Sequence, residues 1–289
     1  MPNYIVAVDQ NDEFIEKRLA SDLSYISQIG SAGAGDDQFN FPFGIANDGT
    51  YLYVADASNY RIVKRLASDL SYVAKIGSAG VGNDQFNYPF GISCDGTFIY
   101  IAEYLNHRIQ KRLASDLSYV AKIGSFGSGD DQFSYPTCID NDGTYLYVGD
   151  SNGRIVKRLA SDLSYISQIG TTGSGNDQFE YANGITNDGT YLYVCDTYNH
   201  RIVKRLAADL SYVSKIGSAG AGNDQFGELF GIDCDDTFLY IVDSINGRIV
   251  KRLAADLSYV SQVSSQAERG ITFVFQSEPV LNSFASVIW

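Results

Sequence analysis

The most constraining feature of the chain is a phrase that occurs six times with almost no change. Repetition at a period near 47 residues indicates one supersecondary unit that is copied around or along an axis. Near-identical units also leave little room for the asymmetric cluster of side chains that catalysis requires. The phrase Arg-Leu-Ala-(Ser/Ala)-Asp-Leu-Ser-Tyr begins at Arg18, Arg65, Arg112, Arg158, Arg205 and Arg252.

One unit, residues 43–78, shows four short β-strand patterns in succession. An apolar segment at 43–46 ends in the tight-turn signal Asn-Asp-Gly. The run at 51–56, Tyr-Leu-Tyr-Val-Ala-Asp, predicts a strand that is buried on both faces. Residues 61–66 alternate as a third strand, and residues 70–76 form the outermost strand. Four antiparallel strands in a unit of this length are typical of a β-propeller blade.

Two further positions recur with the period of the repeat. A phenylalanine at a fixed place in each unit predicts an aromatic wedge between neighbouring blades. Lysines on three outer strands, Lys75, Lys122 and Lys215, are expected to discourage edge-to-edge pairing of those strands. The wedge residues are Phe39, Phe86, Phe133, Phe179 and Phe226.

At these residues the chain resembles the NHL-repeat family of propellers. The family phrase appears here as Gln-Phe-Asn-Tyr-Pro-Phe-Gly-Ile at 85–92, Asp-Gly at 95–96, Tyr-Ile-Ala-Glu at 100–103 and Asn-His-Arg-Ile at 106–109. The resemblance covers residues 1 to about 264. It implies a propeller fold but says little about function, because one propeller scaffold hosts many activities.

The number of strand patterns predicts how the ring closes. Six second strands are evident, but only five inner strands precede residue 265, so the sixth must come from the non-repeat segment 265–289. Two stretches compete for that place, 271–275 and 280–288, and we favour the second because Pro279 could correspond to Pro42. We therefore predict one all-β domain over residues 1–289. It is a six-bladed β-propeller with four antiparallel strands per blade, and its N- and C-terminal segments share one blade.

Composition narrows the partners and the compartment. The chain has 34 acidic and 21 basic residues, a formal net charge of −13, which disfavours nucleic acid as a partner. The start of the chain shows no basic segment followed by an apolar one, and no apolar run reaches spanning length. We expect a soluble protein without signal peptide or membrane insertion, either cytoplasmic or part of an assembled particle. Free buried thiols in a reducing compartment are expected of Cys94, Cys138, Cys195 and Cys234.

Carboxylates that end the second strands look at first like a ring of metal ligands. In five units, however, an arginine follows the carboxylate across a short turn. We interpret these residues as structural ion pairs that order the turn within a blade. In the first unit Phe14 stands where the arginine should be, so Asp9 needs another partner. The predicted pairs are Asp56–Arg61, Glu103–Arg108, Asp150–Arg154, Asp196–Arg201 and Asp243–Arg248.

The position after the inner-strand isoleucine should line the central channel, and it varies between units. Two of the units place a carboxylate there, Asp140 and Asp233, which together with hydroxyl groups could bind Ca²⁺. The alternative is that these are solvated channel residues and that no cofactor is bound. The only histidines, His107 and His200, are too few for a zinc site. Six-bladed lactonases and lyases are similar in fold, which implies a metal-dependent hydrolase at the channel as an alternative function.

Aromatic residues collect in the turns after the second strands and in the loops between blades. Among Asn, Asp and Gln side chains, such rings suit a peptide or a sugar, although packing between blades is the competing explanation. The leading hypothesis is a non-enzymatic binding or scaffold propeller that presents a repeated face to a protein, peptide or glycan partner. A surface or virion component is one form that such a propeller could take. The candidate ligand-binding residues are Tyr60, Tyr88, Tyr104, His107, Tyr135, Tyr181, Tyr198 and His200, with Phe41 beside them.

Overall fold

The chain forms a ring of six four-stranded antiparallel sheets in a computed structural model. The structure describes residues 3–235, 237–265 and 269–274. We number the blades from the N-terminus and the strands in chain order. Blade 1 combines three N-terminal strands with the last strand of the chain that the structure describes, and each of blades 2 to 6 consists of four consecutive strands. The predicted all-β, six-bladed propeller is confirmed.

Each blade contributes one inner strand to the wall of the channel and one second strand behind it. The inner strands are β4 (Pro42–Asn47), β8 (Pro89–Cys94), β12 (Pro136–Asn141), β16 (Ala182–Asn187), β20 (Leu229–Cys234) and β24 (Ile271–Val274). The second strands are β1 (Tyr4–Asp9), β5 (Tyr51–Asp56), β9 (Phe98–Glu103), β13 (Tyr145–Asp150), β17 (Tyr191–Asp196) and β21 (Phe238–Asp243).

The third and outer strands complete each blade, and two 3-10 turns at Ala57–Asn59 and Thr197–Asn199 follow second strands. The third strands are β2 (Phe14–Leu19), β6 (Arg61–Leu66), β10 (Arg108–Leu113), β14 (Arg154–Leu159), β18 (Arg201–Leu206) and β22 (Arg248–Leu253). The outer strands are β3 (Tyr25–Gly30), β7 (Tyr72–Ile76), β11 (Tyr119–Ile123), β15 (Tyr165–Ile169), β19 (Tyr212–Ile216) and β23 (Tyr259–Ser264).

The ring closes through β24, not through the segment that the sequence favoured. Residues Ile271–Val274 pair antiparallel with Tyr4–Ala7 of β1, so the preference for 280–288 was wrong, and that segment lies outside the described residues. The comparison of Pro279 with Pro42 was misleading because a Gly-Ile pair, and not a proline, fixes this strand in place.

Glycine is required where neighbouring inner strands approach closely around the channel. A Cβ on Gly270 would lie 2.6 Å from the carbonyl oxygen of Phe43, and the Gly270 amide donates to that oxygen at 2.8 Å. The Gly-Ile pair at 44–45 meets the next strand in the same way, and the pair recurs at 91–92, 184–185 and 231–232. Gly270-Ile271 was therefore the signal in the sequence that located β24.

The core lies between blades, where the apolar second strands are covered on both faces. Phe39 and Phe86 are fully buried there, as the wedge hypothesis predicted, and the clusters that contain them join two neighbouring blades. Burial of such rings between sheets supplies the main stabilisation of a propeller, because each blade alone leaves two apolar faces exposed.

A lysine on each third strand ties its blade to the next one around the ring. Lys64 Nζ donates to the carbonyl oxygens of Ala114 and Ser115 at 2.7 and 2.9 Å and lies 4.0 Å from the centre of the Tyr51 ring. Lys251 makes the same bond to Ala20, 2.7 Å away, across the closure. Burial lowers the pKa of Lys64. The six lysines are Lys17, Lys64, Lys111, Lys157, Lys204 and Lys251.

Candidate functional site: the upper face and the channel

The upper face of the ring carries the long loops between blades and the turns between second and third strands. Buried ion pairs hold these two elements together. Arg61 Nε donates to Asp56 at 2.6 Å, while its other nitrogens donate to the carbonyl oxygens of Ala34, Gly35 and Gln38 in the inter-blade loop. Burial of the Asp56 carboxyl raises its pKa, and hydrogen bonds from Asn40, Asn59 and Arg61 oppose that effect. The pairs span 2.6, 2.5, 2.6, 2.7 and 2.8 Å at Asp56–Arg61, Glu103–Arg108, Asp150–Arg154, Asp196–Arg201 and Asp243–Arg248.

Blade 1 lacks the arginine because it lacks the loop that the arginine would bind. Six residues separate Ser264 from Ile271, against twelve between Ile76 and Pro89. With no long loop to hold, Phe14 replaces the arginine and is buried. The backbone N–H of residue 12 donates to the Asp9 carboxylate at 2.7 Å, which gives that group a local partner.

Aromatic residues on the upper face occupy a backbone conformation that glycine adopts more easily. Tyr60 and Tyr135 have φ of 55° and 48°. At the position of Tyr60, blades 4 and 6 carry Gly153 and Gly247, with φ of 70° and 58°. A non-glycine residue in this left-handed region costs about 1–2 kcal/mol. The aromatic residues with positive φ are Phe41, Tyr60, Tyr88, His107, Tyr135, Tyr181 and His200.

Six leucines share this conformation, and their environment differs from that of the aromatic residues. Leu70 has φ of 65° and is 1% exposed, so burial of its side chain in the core offsets the strain. Tyr60 and Tyr135 remain half-buried at the surface. Core packing therefore explains the left-handed backbone of the leucines, but it does not explain that of the half-buried aromatic residues.

The rings form a continuous network across the upper face. Phe43 stacks on Phe90 with centroids 4.2 Å apart, and Phe90 stacks on Tyr104 at 4.5 Å. On one side the Tyr88 ring contacts Phe90, and the Tyr60 ring contacts Tyr88 with centroids 5.5 Å apart. We call this network the aromatic belt. Its members are Phe41, Phe43, Tyr60, Tyr88, Phe90, Tyr104, His107, Phe126, Tyr135, Tyr181, Tyr198 and Phe230.

The belt reaches from the channel mouth to the rim of the ring along blade 3. Tyr104 contacts Tyr135 at 4.9 Å, and Tyr135 contacts Phe126 at 6.1 Å. Phe126 is 62% exposed, and Val81 on the preceding loop is 70% exposed. The two side chains border a groove of about 560 Å³ over Arg108. Phe126 lies in the loop that follows blade 3, and other units carry Ala or Thr at the equivalent position. The apolar groove is therefore a departure from the repeat.

A tyrosine pair connects the belt to blade 5. The Tyr104 and Tyr181 hydroxyl groups lie 2.8 Å apart, and the Tyr181 ring is 5.3 Å from Tyr198, which is 46% exposed. Seven of the eight candidate residues named from the sequence thus lie in one network. The eighth, His200, places its Nδ1 2.8 Å from the Gly227 carbonyl oxygen instead, and no ring contact joins it to the belt among the described residues.

Sequence reasoning missed the members of the belt that lie on inner strands. Phe43, Phe90 and Phe230 precede the Gly-Ile pairs, and they surround the upper mouth of the channel. Arg269 occupies the equivalent place in blade 1, with its guanidinium 3.6 Å from the Phe230 ring centre. A signal was present, because the residue before the Gly-Ile pair varies between units as much as the channel residue after it.

The channel below the belt encloses a cavity of about 280 Å³ with a polar lower end. Both candidate metal ligands line it. Asp140 accepts hydrogen bonds from Ser93 Oγ at 3.1 Å and from Asn187 Nδ2 at 2.7 Å, one on each oxygen. Asp233 accepts from Thr186 Oγ1 at 3.0 Å. Neighbouring blades therefore share these carboxylates through hydrogen bonds.

Burial raises the pKa of Asp140 to about 7, and the nearby charge of Asp233 adds to the effect. Each oxygen of Asp140 accepts one of these hydrogen bonds and keeps a second lone pair, which a cation in the channel could use. Among the described residues, no three His, Cys, Asp or Glu side chains come together as a metal-binding group. The four cysteines are unpaired; Cys138 and Cys195 are buried, and Cys94 and Cys234 are half-buried.

Comparison with known proteins supports the fold and little beyond it. The chain is similar to a solved structure from a nidogen/laminin complex, with 17% identity, a TM-score of 0.73, and coverage of 95% of this chain and 99% of that one. It is also similar to a functionally unknown protein from Desulfotomaculum acetoxidans DSM 771, at 13% identity and a TM-score of 0.59, over 95% of this chain and 100% of that one. No protein-family model and no curated protein matches the chain. Within the described part of the chain, helices long and apolar enough to cross a membrane are absent. These likenesses establish a six-bladed β-propeller.

Proposed function

We propose that this chain is a non-enzymatic binding propeller that holds a protein or peptide segment on its aromatic belt. The observation that carries the proposal is the left-handed backbone of Tyr60, Tyr88 and Tyr135. Glycine occupies the Tyr60 position in two blades, so the fold does not require a ring there. Strain that persists at half-exposed aromatic residues is expected where their side chains contact a partner.

The chemistry of the belt favours a protein over a simple sugar. Exposed Val81 and Phe126 add an apolar groove to the tyrosines, and aromatic and aliphatic anchors in a groove are what protein interfaces use as their energetic centre. The nidogen/laminin structure contains a propeller within a protein complex. We also propose that the repeats are of the NHL type, on the phrase at 85–109.

A peptide library displayed on phage tests the proposal, with a glycan array as a second arm. Clones selected on the wild-type chain should lose binding by about tenfold or more when Tyr104→Ala and Phe126→Ala are combined. The matched control is Tyr119→Ala, which changes a half-buried tyrosine on the outer strand of the same blade. Clones that bind all three chains equally would contradict the proposal, as would binding on the glycan array alone.

The alternative of a metal-dependent hydrolase in the channel has less support. It rests on Asp140 and Asp233, which are bonded to Ser93, Asn187 and Thr186. Two carboxylates with hydroxyl neighbours suit Ca²⁺ better than Zn²⁺. Calcium binding at this end of the channel stays a proposal with its own test below.

A further inference from the structure

The outer strand of blade 1 differs from the other five outer strands in how its edge is covered. In blade 2, Lys75 reaches the inter-blade loop and bonds Asp36 at 2.8 Å. In blade 4, Gln168 accepts from Arg154 at 2.8 Å. At the equivalent place in β3, no described residue bonds the side chain of Gln28. The short connection before β24 explains this difference, because blade 1 has neither the loop nor the arginine.

The missing loop also leaves the start of β3 exposed. Tyr25 is 54% exposed, whereas its counterpart Tyr72 is half-buried and packs against the core. The next residue, Ile26, is 43% exposed. The strand reads Tyr-Ile-Ser-Gln-Ile-Gly and contains no charge and no proline. An apolar strand edge that no charged side chain protects can pair with a strand of another chain.

We propose that β3 pairs antiparallel with β3 of a second copy of this chain and forms a two-fold dimer. A strand that pairs antiparallel with itself obeys two-fold symmetry, so the contact closes at two copies and does not propagate. Like charges would oppose self-pairing of the three outer strands that carry Lys75, Lys122 and Lys215. The uncharged outer strands are β3, β15 and β23. In β15 and β23 the glutamine at the equivalent place accepts from Arg154 or Arg248, which leaves β3 as the edge best suited to self-pairing.

The dimer should be weak and should strengthen with salt. One strand pair of six residues buries much less than the roughly 1,200 Å² of a stable interface. Each copy also carries a net charge of −13, and repulsion between them is screened by added salt. This inference does not depend on the proposed binding function, because β3 lies on the rim, away from the aromatic belt.

Sedimentation velocity on the full chain, from micromolar to millimolar concentration at low and high salt, tests the proposal. Ile26→Lys should lower the association constant by about tenfold or more, since it places on β3 a charge of the kind that three other outer strands carry two residues further along, and the two copies would then bring like charges together. Val73→Lys, the same position on blade 2 and 40% exposed, should leave association unchanged, and its melting temperature shows whether a lysine here is tolerated. A chain that remains monomeric throughout, or equal effects of both lysines, would overturn the proposal.

Hydrogen exchange distinguishes the second copy from a segment of the same chain. In a dimer, the amides of β3 that do not bond to β2 should gain protection as the concentration rises. Protection at those amides that is independent of concentration would mean that the chain covers its own edge, and the dimer would be rejected.

Discussion

Replacing Asp140 with Asn should remove a loss of stability that the wild-type chain shows as the pH rises from about 4 to about 7. The Asp140 carboxyl is held in the channel with a pKa raised from 3.8 to about 7, chiefly by burial. The folded state therefore binds a proton that the unfolded state releases. The stability from this proton is fully present below about pH 4 and is lost as the pH rises through about 7.

The size of the effect follows from the shift. About three pKa units correspond to about 4 kcal/mol at 1.36 kcal/mol per unit. This figure is an upper limit, because the carboxyl is only partly buried and channel water screens it. Asn keeps the size of Asp and can still accept from Asn187, so the hydrogen bonds across the blades should survive. The free energy of unfolding of Asp140→Asn, relative to that of the wild type, should therefore rise by about 1–4 kcal/mol between pH 4.5 and pH 8.5.

Urea unfolding at a series of pH values measures this difference, and the wild-type minus variant curve cancels the other titrating groups. A carbon-13 NMR titration of the aspartate carboxyl groups gives the Asp140 pKa directly. Asp233→Asn is the graded control: it should lower the Asp140 pKa without restoring an ordinary value, because burial is the larger cause. Parallel stability curves for wild type and Asp140→Asn, within about 0.5 kcal/mol, would refute the reasoning.

Four other predictions rest on separate contacts. Lys64→Met should cost about 1–3 kcal/mol in urea unfolding, because it removes two hydrogen bonds from a charged donor and leaves the Ala114 carbonyl oxygen with the Tyr53 hydroxyl, 3.1 Å away, whereas Lys75→Met, whose lysine is exposed, should cost under about 1 kcal/mol. Gly149→Ala places a Cβ 2.5 Å from Cys138 Sγ and should cost about 1–3 kcal/mol of unfolding free energy. The double variant with Cys138→Gly should be at least about 1 kcal/mol more stable than the sum of the two single effects, and purely additive costs would contradict this pairing. Tyr135→Gly should leave the free energy of unfolding within about 1 kcal/mol of wild type, since relief of strain offsets lost ring contacts, while Leu70→Gly, with the same backbone conformation in the core, should cost at least about 2 kcal/mol. Calcium, if it binds at Asp140, should raise the melting temperature of the wild type and not that of Asp140→Asn, and a chelator should reverse the rise; no shift in either chain counts against a calcium site.

The sequence predicted the repeat-borne part of the structure well because each strand is specified locally. The period, the Asn-Asp-Gly turns and the alternating apolar runs are present in every unit, so the blade could be derived from one copy. Part of the candidate site could be predicted. Tyr60 and Tyr104 could be placed on the upper face because they lie in turns after second strands, and Tyr88 and Tyr135 because they lie in the loops before inner strands. The inner-strand phenylalanines resemble core residues because both are apolar in a linear chain, and only their variation between units distinguishes them.

The sequence by itself determined the number of blades, the order of strands within each blade and the positions that vary between repeats. Only the tertiary structure decided which segment closes the ring, because the close contact of Gly270 with Phe43 joins residues from opposite ends of the chain. The tertiary structure also decided that third-strand lysines bond carbonyl groups of the neighbouring blade, as Lys64 does about 50 residues away. It brought Asp140 and Asp233 together in one channel. The physical reason is that strand propensity and turn geometry act between near neighbours in sequence, whereas closure, inter-blade hydrogen bonds and the electrostatics of the channel depend on residues that meet only when the ring is complete.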